Sequence, residues 1–309
     1  MKKILITGIA GFIGSNLADR LLREGTYQVL GIDNLSAGTR EQVPDGVQFH
    51  AIDIRSQDIY PLFHEVDTVF HLAAKNCIND CQQDPVEAAG INVVGTVNVM
   101  QAARKAGVRK VVYAESSALY EGSEKMPTPE TENKPESFYA ASKAASRLFA
   151  ESYQRYSSLQ LTALRYFCVY GPRQDYRRTI PPVMSSFILH LLQGKHPVIY
   201  GSGTKRRDFI YVDDVNDFHV QTILDPRTNG KVFNLGSGLN YSIQEIFEKI
   251  KGQLHSKTLP IYQDDLPGEA EETLACIKEA TALGWQPKTS LEEGLRKSIQ
   301  FIQEHVYRS

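Results

Sequence analysis

Residues 2–14 read KKILITGIAGFIG. The apolar run Ile4-Leu5-Ile6 has the length of a strand. Glycines stand at 8, 11 and 14, and Phe12, Ile13, Leu17, Leu21 and Leu22 recur behind them at helical spacing. The stretch predicts a strand, a tight loop and a helix. Gly8 permits a sharp exit from the strand, Gly11 lets the backbone approach a pyrophosphate, and Gly14 lets the helix pack against the strand. Amides that open such a helix, here at Phe12 and Ile13, have no partner within it and lie at the positive end of its dipole, so they face an anion.

Three glycines alone also occur in other α/β turns, and the next segment narrows the reading. Val29-Leu30-Gly31-Ile32 ends in Asp33, about 20 residues beyond the loop, where a carboxylate accepts both hydroxyls of an adenosine ribose. Its charge repels a 2′-phosphate, and Asn34-Leu35-Ser36 offers no arginine to receive one. NAD is expected rather than NADP.

The 309 residues suffice for a sizeable core, and 42% hydrophobic with 23% charged residues describes an ordinary globular chain. A net charge of −2 gives no general attraction to nucleic acid or to an anionic membrane, so neither is expected as a partner. The apolar runs are strand-sized, and Lys2-Lys3 leads into a strand rather than a signal peptide, so a cytoplasmic enzyme is expected. Cys77, Cys81, Cys168 and Cys276 are too scattered for a disulfide framework and read as reduced thiols. No second ligand pair follows Cys77 and Cys81 at zinc spacing, and no metal is expected.

Strand-like runs recur at Lys3 to Thr7, Gln28 to Ile32, Val47 to Ile52, Thr68 to Leu72, Lys110 to Ala114 and Leu161 to Tyr166, separated by helical patterns. This alternation predicts an α/β fold with a doubly wound parallel sheet and helices on both faces. Two long helices are predicted, from about Pro85 to Ala106 and from about Ser137 to Tyr156; apolar residues on their second faces suit a homodimer. After about residue 167, Gly171-Pro172, Pro181-Pro182, Gly201-Ser202-Gly203 and Pro267-Gly268 punctuate shorter elements. Residues 1–166 are expected to form the cofactor-binding domain. Asp208 to Val212 and Val232 to Leu235 read as strands returning to its sheet, so 207–235 is assigned there. A smaller lobe of 167–206 and 236–309 would then close over it.

Ligands in an open parallel sheet lie beyond the carboxyl ends of the strands, which puts Ser116 and Ser117 at the mouth beside the glycine loop. Tyr139 and Lys143, four apart, share one helix face. A free phenol titrates near about 10; an adjacent ammonium lowers that and equips Tyr139 to remove a proton from an alcohol. Ser116 would hydrogen-bond the same oxygen and stabilise the carbonyl that forms as hydride leaves for the nicotinamide.

The sequence resembles the extended short-chain dehydrogenase/reductase family, in particular its sugar-nucleotide epimerases and dehydratases. The resemblance rests on Thr7 to Gly14, Asp33-Asn34-Leu35, Asp53-Ile54, His71-Leu72-Ala73-Ala74, Asn92 with Gly95-Thr96, Ser116, Tyr139 with Lys143, Arg165 to Arg173, Arg207 to Asp214, and Phe233 to Gly236. It implies a Rossmann-like domain holding NAD and a smaller, mainly C-terminal lobe binding a nucleoside-diphosphate sugar. By position, Tyr139 is the base, Lys143 tunes it and holds the nicotinamide ribose, and Ser116 is the hydroxyl partner. Asn34, Asp53 and Ile54 fall on the adenosine side, Leu72, Ala73 and Ala74 line the cofactor, and Asn92 supports the site's hydrogen bonds. Ser117, Cys168, Arg173 and Arg207 face the substrate.

Ser117 and Ala118 stand where family dehydratases and decarboxylases carry their extra acids. Oxidation at C4 followed by re-reduction from the other face is therefore expected, with a dehydratase, a ketoreductase or a non-catalytic NAD-binding scaffold as alternatives. Relatives often have asparagine at Cys168, arginine at Leu266 and basic residues near Glu271 and Glu272. Lys205, Arg206, Arg173, Arg177 and Arg178 are candidate replacement cations, while Lys75 and Glu115 are expected to be structural.

Overall fold

The computed structural model describes every residue except Thr179, Leu266, Pro267, Arg308 and Ser309. The chain divides into two compact units, Met1–Glu124, Glu130–Tyr166 and Asn216–Asn234 in the first, and Lys125–Pro129, Phe167–Val215 and the residues from Leu235 onward in the second.

In the first unit, β1 (Lys2–Thr7), β2 (Tyr27–Asp33), β3 (Gln48–Ala51), β4 (Thr68–His71), β5 (Lys110–Ser116) and β6 (Gln160–Tyr166) alternate with helical segments. Later strands are β7 (Cys168–Tyr170), β8 (Val198–Tyr200), β9 (Arg206–Tyr211), β10 (Lys231–Leu235), β11 (Asn240–Ser242) and β12 (Ile261–Gln263). A seven-stranded sheet has the order β10-β6-β5-β4-β1-β2-β3. β1 runs parallel to β2 and β4, β2 to β3, and β5 to β4 and β6. The order reverses between β1 and β4, with Thr7 opposite His71. That reversal opens a crevice beyond the carboxyl ends of the strands.

Helices α1 (Phe12–Glu24), α2 (Ile78–Gln83), α3 (Pro85–Ala89), α4 (Thr96–Ala106) and α5 (Phe138–Tyr156) flank this sheet. A π-turn, Gly90–Gly95, joins α3 to α4, so the predicted Pro85 to Ala106 helix is continuous in outline but widened at Asn92. Leu17, Ala18 and Leu21 on α1 and Val99, Met100 and Ala103 on α4 are buried, while Ile4, Leu5 and Ile6 of β1 are covered on both faces. Truncating any one of these leucines or isoleucines to alanine costs about 2–5 kcal/mol.

One expectation fails. Val232 to Leu235 joins the main sheet as β10, but Asp208 to Val212 does not. β9 instead pairs in parallel with β7, Cys168 opposite Phe209, and antiparallel with β11, Asn240 opposite Asp208, in a separate three-stranded sheet. The cause is Asp208, which is fully buried and accepts the amides of Ser237, Gly238 and Ala275 at 2.6, 3.1 and 3.0 Å. Those bonds anchor the strand in the second unit, and 207–215 belongs there rather than with 216–234. Helices α6 (Val183–Leu192), α7 (Val212–Leu224), α8 (Ile243–Gln253), α9 (Lys278–Thr281) and α10 (Leu291–Ile302) complete the chain; Phe187 and Phe247 meet edge to face at 5.8 Å within the second unit. Among the described residues no helix is long and apolar enough to cross a membrane.

Candidate active site

The glycine loop is closed by backbone contact. Gly8 has φ +75°, and a Cβ there would fall 2.7 Å from the Ala73 nitrogen; one at Gly14 would fall 2.3 Å from the Gly8 carbonyl oxygen. The Gly11 amide donates to the Gly8 carbonyl at 3.1 Å, and Phe12 begins α1. Asp33 ends β2 and accepts the amides of Ala10 and Leu35 at 3.0 and 2.8 Å. Burial raises its pKa while those two amides pull it back. Each oxygen keeps a lone pair for a ribose hydroxyl. Helix-opening amides, a loop without side chains on its tight face and an acidic residue at the end of β2 together fit a dinucleotide.

Asp53 is committed to Arg55, which donates through Nε at 2.9 Å and Nη2 at 2.7 Å, and it also accepts Asn34 Nδ2 at 3.0 Å. The guanidinium holds its pKa down to about 2, so the carboxylate stays charged. Ile54 is buried beneath Gly95, where a Cβ would lie 2.6 Å from Ile54 Cδ1. Leu72, Ala73 and Ala74 follow β4, with the Leu72 amide on the Thr7 carbonyl at 3.1 Å and the Ala73 amide on Thr7 Oγ1 at 3.3 Å.

Ser116 ends β5 and caps the turn Ser117–Tyr120, its Oγ accepting the Ala118 amide at 3.2 Å. That leaves its proton for another acceptor. Glu121 follows the turn, and its carboxylate accepts the Ser137 amide at 2.7 Å and the Ser137 hydroxyl at 2.8 Å. Ser137 in turn caps α5 by accepting the Ala140 amide at 3.1 Å. The turn carrying Ser116 and the helix carrying Tyr139 are thereby tied at their adjoining ends.

Lys143 lies one turn along α5 from the half-buried Tyr139, is itself 6% exposed, and donates to the Ala114 carbonyl at 3.0 Å. Burial pulls its pKa down to about 8 against the opposing pull of Glu115. Asn92, 1% exposed, accepts the Lys75 amide at 2.8 Å and donates to the Lys75 carbonyl and to Ser142 Oγ, each at 2.9 Å. Glu115 is structural: its carboxylate accepts Arg165 Nε at 2.7 Å and the Tyr113 hydroxyl at 3.0 Å. Lys75 pairs with Glu87.

In the second unit the candidate substrate cations face acids. Arg207 Nη2 lies 3.3 Å from Glu269 and Lys205 Nζ lies 2.6 Å from Asp265. Arg206 reaches Asn240 and Glu245, and Arg177 and Arg178 reach Asp175. Arg173 sits in the left-handed region at φ 67°. Burial pushes the Cys168 thiol up to about 11, with Arg207 opposing, so it is a neutral group and not a nucleophile. Leu266 lies outside the described residues. Sequence reasoning gave no roles to Thr7, His71, Thr96, Glu121, Ser137 and Ser142. Thr7, His71 and Thr96 fall in stretches that carry the family resemblance but had no role attached, and Ser137, a serine just before a helical run, carried a capping signal.

Residues 4–236 match the model of the NAD dependent epimerase/dehydratase family. The chain belongs to that family. A relative named UDP-glucose 4-epimerase from Mycolicibacterium smegmatis is 36% identical over 97% of this chain and 98% of its own. The crystal structure of UDP-glucose 4-epimerase from Thermotoga maritima, with UDP-glucose, superposes with a TM-score of 0.94 at 32% identity, covering 98% of this chain and 99% of that one. UDP-glucuronic acid 4-epimerase from Bacillus cereus, in complex with UDP-glucuronic acid and NAD, gives 0.90 at 29% identity over 98% and 99%. The family's cofactor is NAD, and the similar proteins are mainly sugar-nucleotide epimerases, with UDP-glucuronic acid decarboxylase 1 from Danio rerio among them at 31% identity. The extended short-chain dehydrogenase/reductase assignment and Rossmann-like fold hold.

Proposed function

We propose that the protein is an NAD-dependent 4-epimerase of a nucleoside-diphosphate sugar, working through a transient 4-keto sugar. Phe12 and Ile13 amides would hold the pyrophosphate, Asp33 the adenosine ribose, Asp53 and Ile54 the adenine side, and Lys143 the nicotinamide ribose. When bound, NAD supplies a hydride acceptor that becomes the hydride donor of the return step. Tyr139 takes the proton of the 4-hydroxyl, the Lys143 charge lowering the phenol toward neutral pH. Ser116, its lone pair engaged by Ala118, donates to the same oxygen. On re-reduction Tyr139 returns the proton. Arg207, with Arg173, Cys168 and Ser117, is assigned to the substrate.

One observation carries epimerisation over dehydration. The acids bracketing the Ser116 turn are both spent, Glu115 on Arg165 and Tyr113 and Glu121 on the start of α5, and Ser117 and Ala118 between them carry none. No carboxylate on this turn is placed to expel water from the keto sugar. A second copy of the chain would cover Leu148, Phe149 and Tyr156 of α5, which are 65, 47 and 80% exposed, and sedimentation as a dimer tests that.

Incubation with UDP-galactose, UDP-N-acetylgalactosamine, UDP-glucuronate and guanosine or thymidine analogues, followed by proton NMR, is expected to show C4 inversion without added reductant. A dehydrated keto sugar, or turnover only with added NADH, overturns the reading. Tyr139→Phe is expected to keep NAD while losing about 10²–10⁴-fold in kcat.

A further inference from the structure

Beneath the crevice, at the point where strand order reverses, a run of buried polar groups has a direction that its end members dictate. The Thr96 hydroxyl donates to the Asn92 main-chain carbonyl at 2.6 Å, and a carbonyl only accepts. Thr96 Oγ1 has then given its one proton, so His71 Nε2, 2.9 Å away, must be the donor to it. His71 Nδ1 is left to accept, which it does from Thr7 Oγ1 at 2.7 Å, and Thr7 Oγ1 in turn accepts the Ala73 amide at 3.3 Å. On the far side, the Asn92 side-chain amide donates to Ser142 Oγ at 2.9 Å, and Ser142 donates to the Tyr139 carbonyl at 2.7 Å. Thr7, His71, Thr96, Asn92 and Ser142 are 0, 4, 4, 1 and 6% exposed, so water cannot substitute for a missing partner.

We propose that His71, as the neutral Nε2–H tautomer, is a positioning residue. With Thr96 it locks the strand end entering the glycine loop to the main chain of Asn92, and through the Asn92 side chain to the Lys75 backbone and the helix turn bearing Tyr139. The imidazole reaches no reacting atom. It serves because it alone among side chains accepts on one edge and donates on the other across a rigid ring. Burial, with the Lys143 ammonium nearby, depresses its pKa to about 3, which keeps the ring in its neutral form. A charged ring would donate at both nitrogens and reverse the Thr7 hydroxyl. The kinetic consequence rests on the 4-epimerase reading; the tautomer does not.

Two measurements on the NAD-loaded full chain separate these. Long-range proton–nitrogen NMR of histidine-labelled protein is expected to show His71 protonated on Nε2 in the wild type and in Thr96→Ser, and on Nδ1 in Thr96→Val, where Nε2 has lost its acceptor. With UDP-galactose as substrate, Thr96→Val is expected to lower kcat by about ten- to a hundredfold, as for a misplaced catalytic group, with KM and NAD content within about twofold. Thr96→Ser recovers most of the loss. An Nδ1–H ring in the wild type overturns the inference even if Thr96→Val does not fold. Equal kcat in the Val and Ser variants overturns the positioning role. Absence of turnover in the wild type, with the expected tautomers present, would sink the 4-epimerase reading and leave the geometry standing.

Discussion

Glu115→Gln removes one charge from an ion pair whose side chains are 0 and 1% exposed. The amide oxygen can still accept Arg165 Nε, but the Tyr113 hydroxyl, which donates to the other carboxylate oxygen at 3.0 Å, then meets an NH₂ group. Breaking one side of a buried pair costs about 3–5 kcal/mol, because the surviving charge is left without compensation. Arg165 keeps the Tyr120 hydroxyl and the carbonyls of Glu130 and Glu132 at 2.7, 2.8 and 3.1 Å, so the lower end, about 3 kcal/mol, is expected. At roughly 2 °C per kcal/mol for a chain of this size, Tm falls by about 6 °C. Urea and thermal unfolding in saturating NAD would measure this for Glu115→Gln, Arg165→Met and the double variant. The double variant should recover part of the loss, since no lone buried charge remains. At about pH 6, where Lys143 keeps its charge, folded Glu115→Gln should hold kcat within about threefold, because Glu115 reaches no reacting group. The decline of kcat with pH should begin earlier than in the wild type, because the Glu115 charge no longer supports the ammonium. Wild-type stability with a large fall in kcat would refute this account and make Glu115 a catalytic residue.

Gly14→Ala and Gly25→Ala separate contact from conformation. Gly14 meets backbone at 2.3 Å, so its Cβ must push α1 off the loop and NAD affinity should fall at least about tenfold; Gly25 has φ +67° but open space, costing about 1 kcal/mol of stability with NAD binding unchanged. Equal losses in NAD titrations would count against the loop assignment. Lys143 has a folded pKa near 8, below its ordinary 10.5, so the unfolded chain binds more protons between those values and wild-type stability should rise with pH across that window. Lys143→Met should rise less steeply than the wild type in urea midpoints, Lys110, also held down to about 8 by burial, supplying the remaining slope; it should be no less stable at pH 7 and lack turnover. In the wild type kcat should decline above about pH 8 as the ammonium is lost, and a rise there would contradict the role given to its charge.

Much of the first unit was legible because its signals are local. Strand-length apolar runs, glycines that only a close backbone requires, and a tyrosine and lysine one helical turn apart declare themselves within a few residues. The partner of a strand does not: β9 reads as the same short strand wherever it pairs, and what sends it to β7 and β11 is a set of amides from residues 237, 238 and 275 converging on Asp208. The sequence likewise shows Lys205 and Arg207 as free cations, while the fold brings Asp265 and Glu269 up to them from some sixty positions away. His71 stood inside a recognisable motif, yet its meaning depends on Thr7 and Thr96, contacts of long sequence separation that no periodicity encodes.

The polypeptide changes unit at 124/125, 129/130, 166/167, 215/216 and 234/235. A ribosome that has released the first 166 residues has therefore not yet made β10, which borders β6 at the sheet's margin. Until then β6 offers a bare rim, open to pairing with a neighbouring nascent chain. Truncation at 166 would leave that rim permanently unpaired, so recombining this cofactor half with a foreign partner calls for transplanting 216–234 along with it.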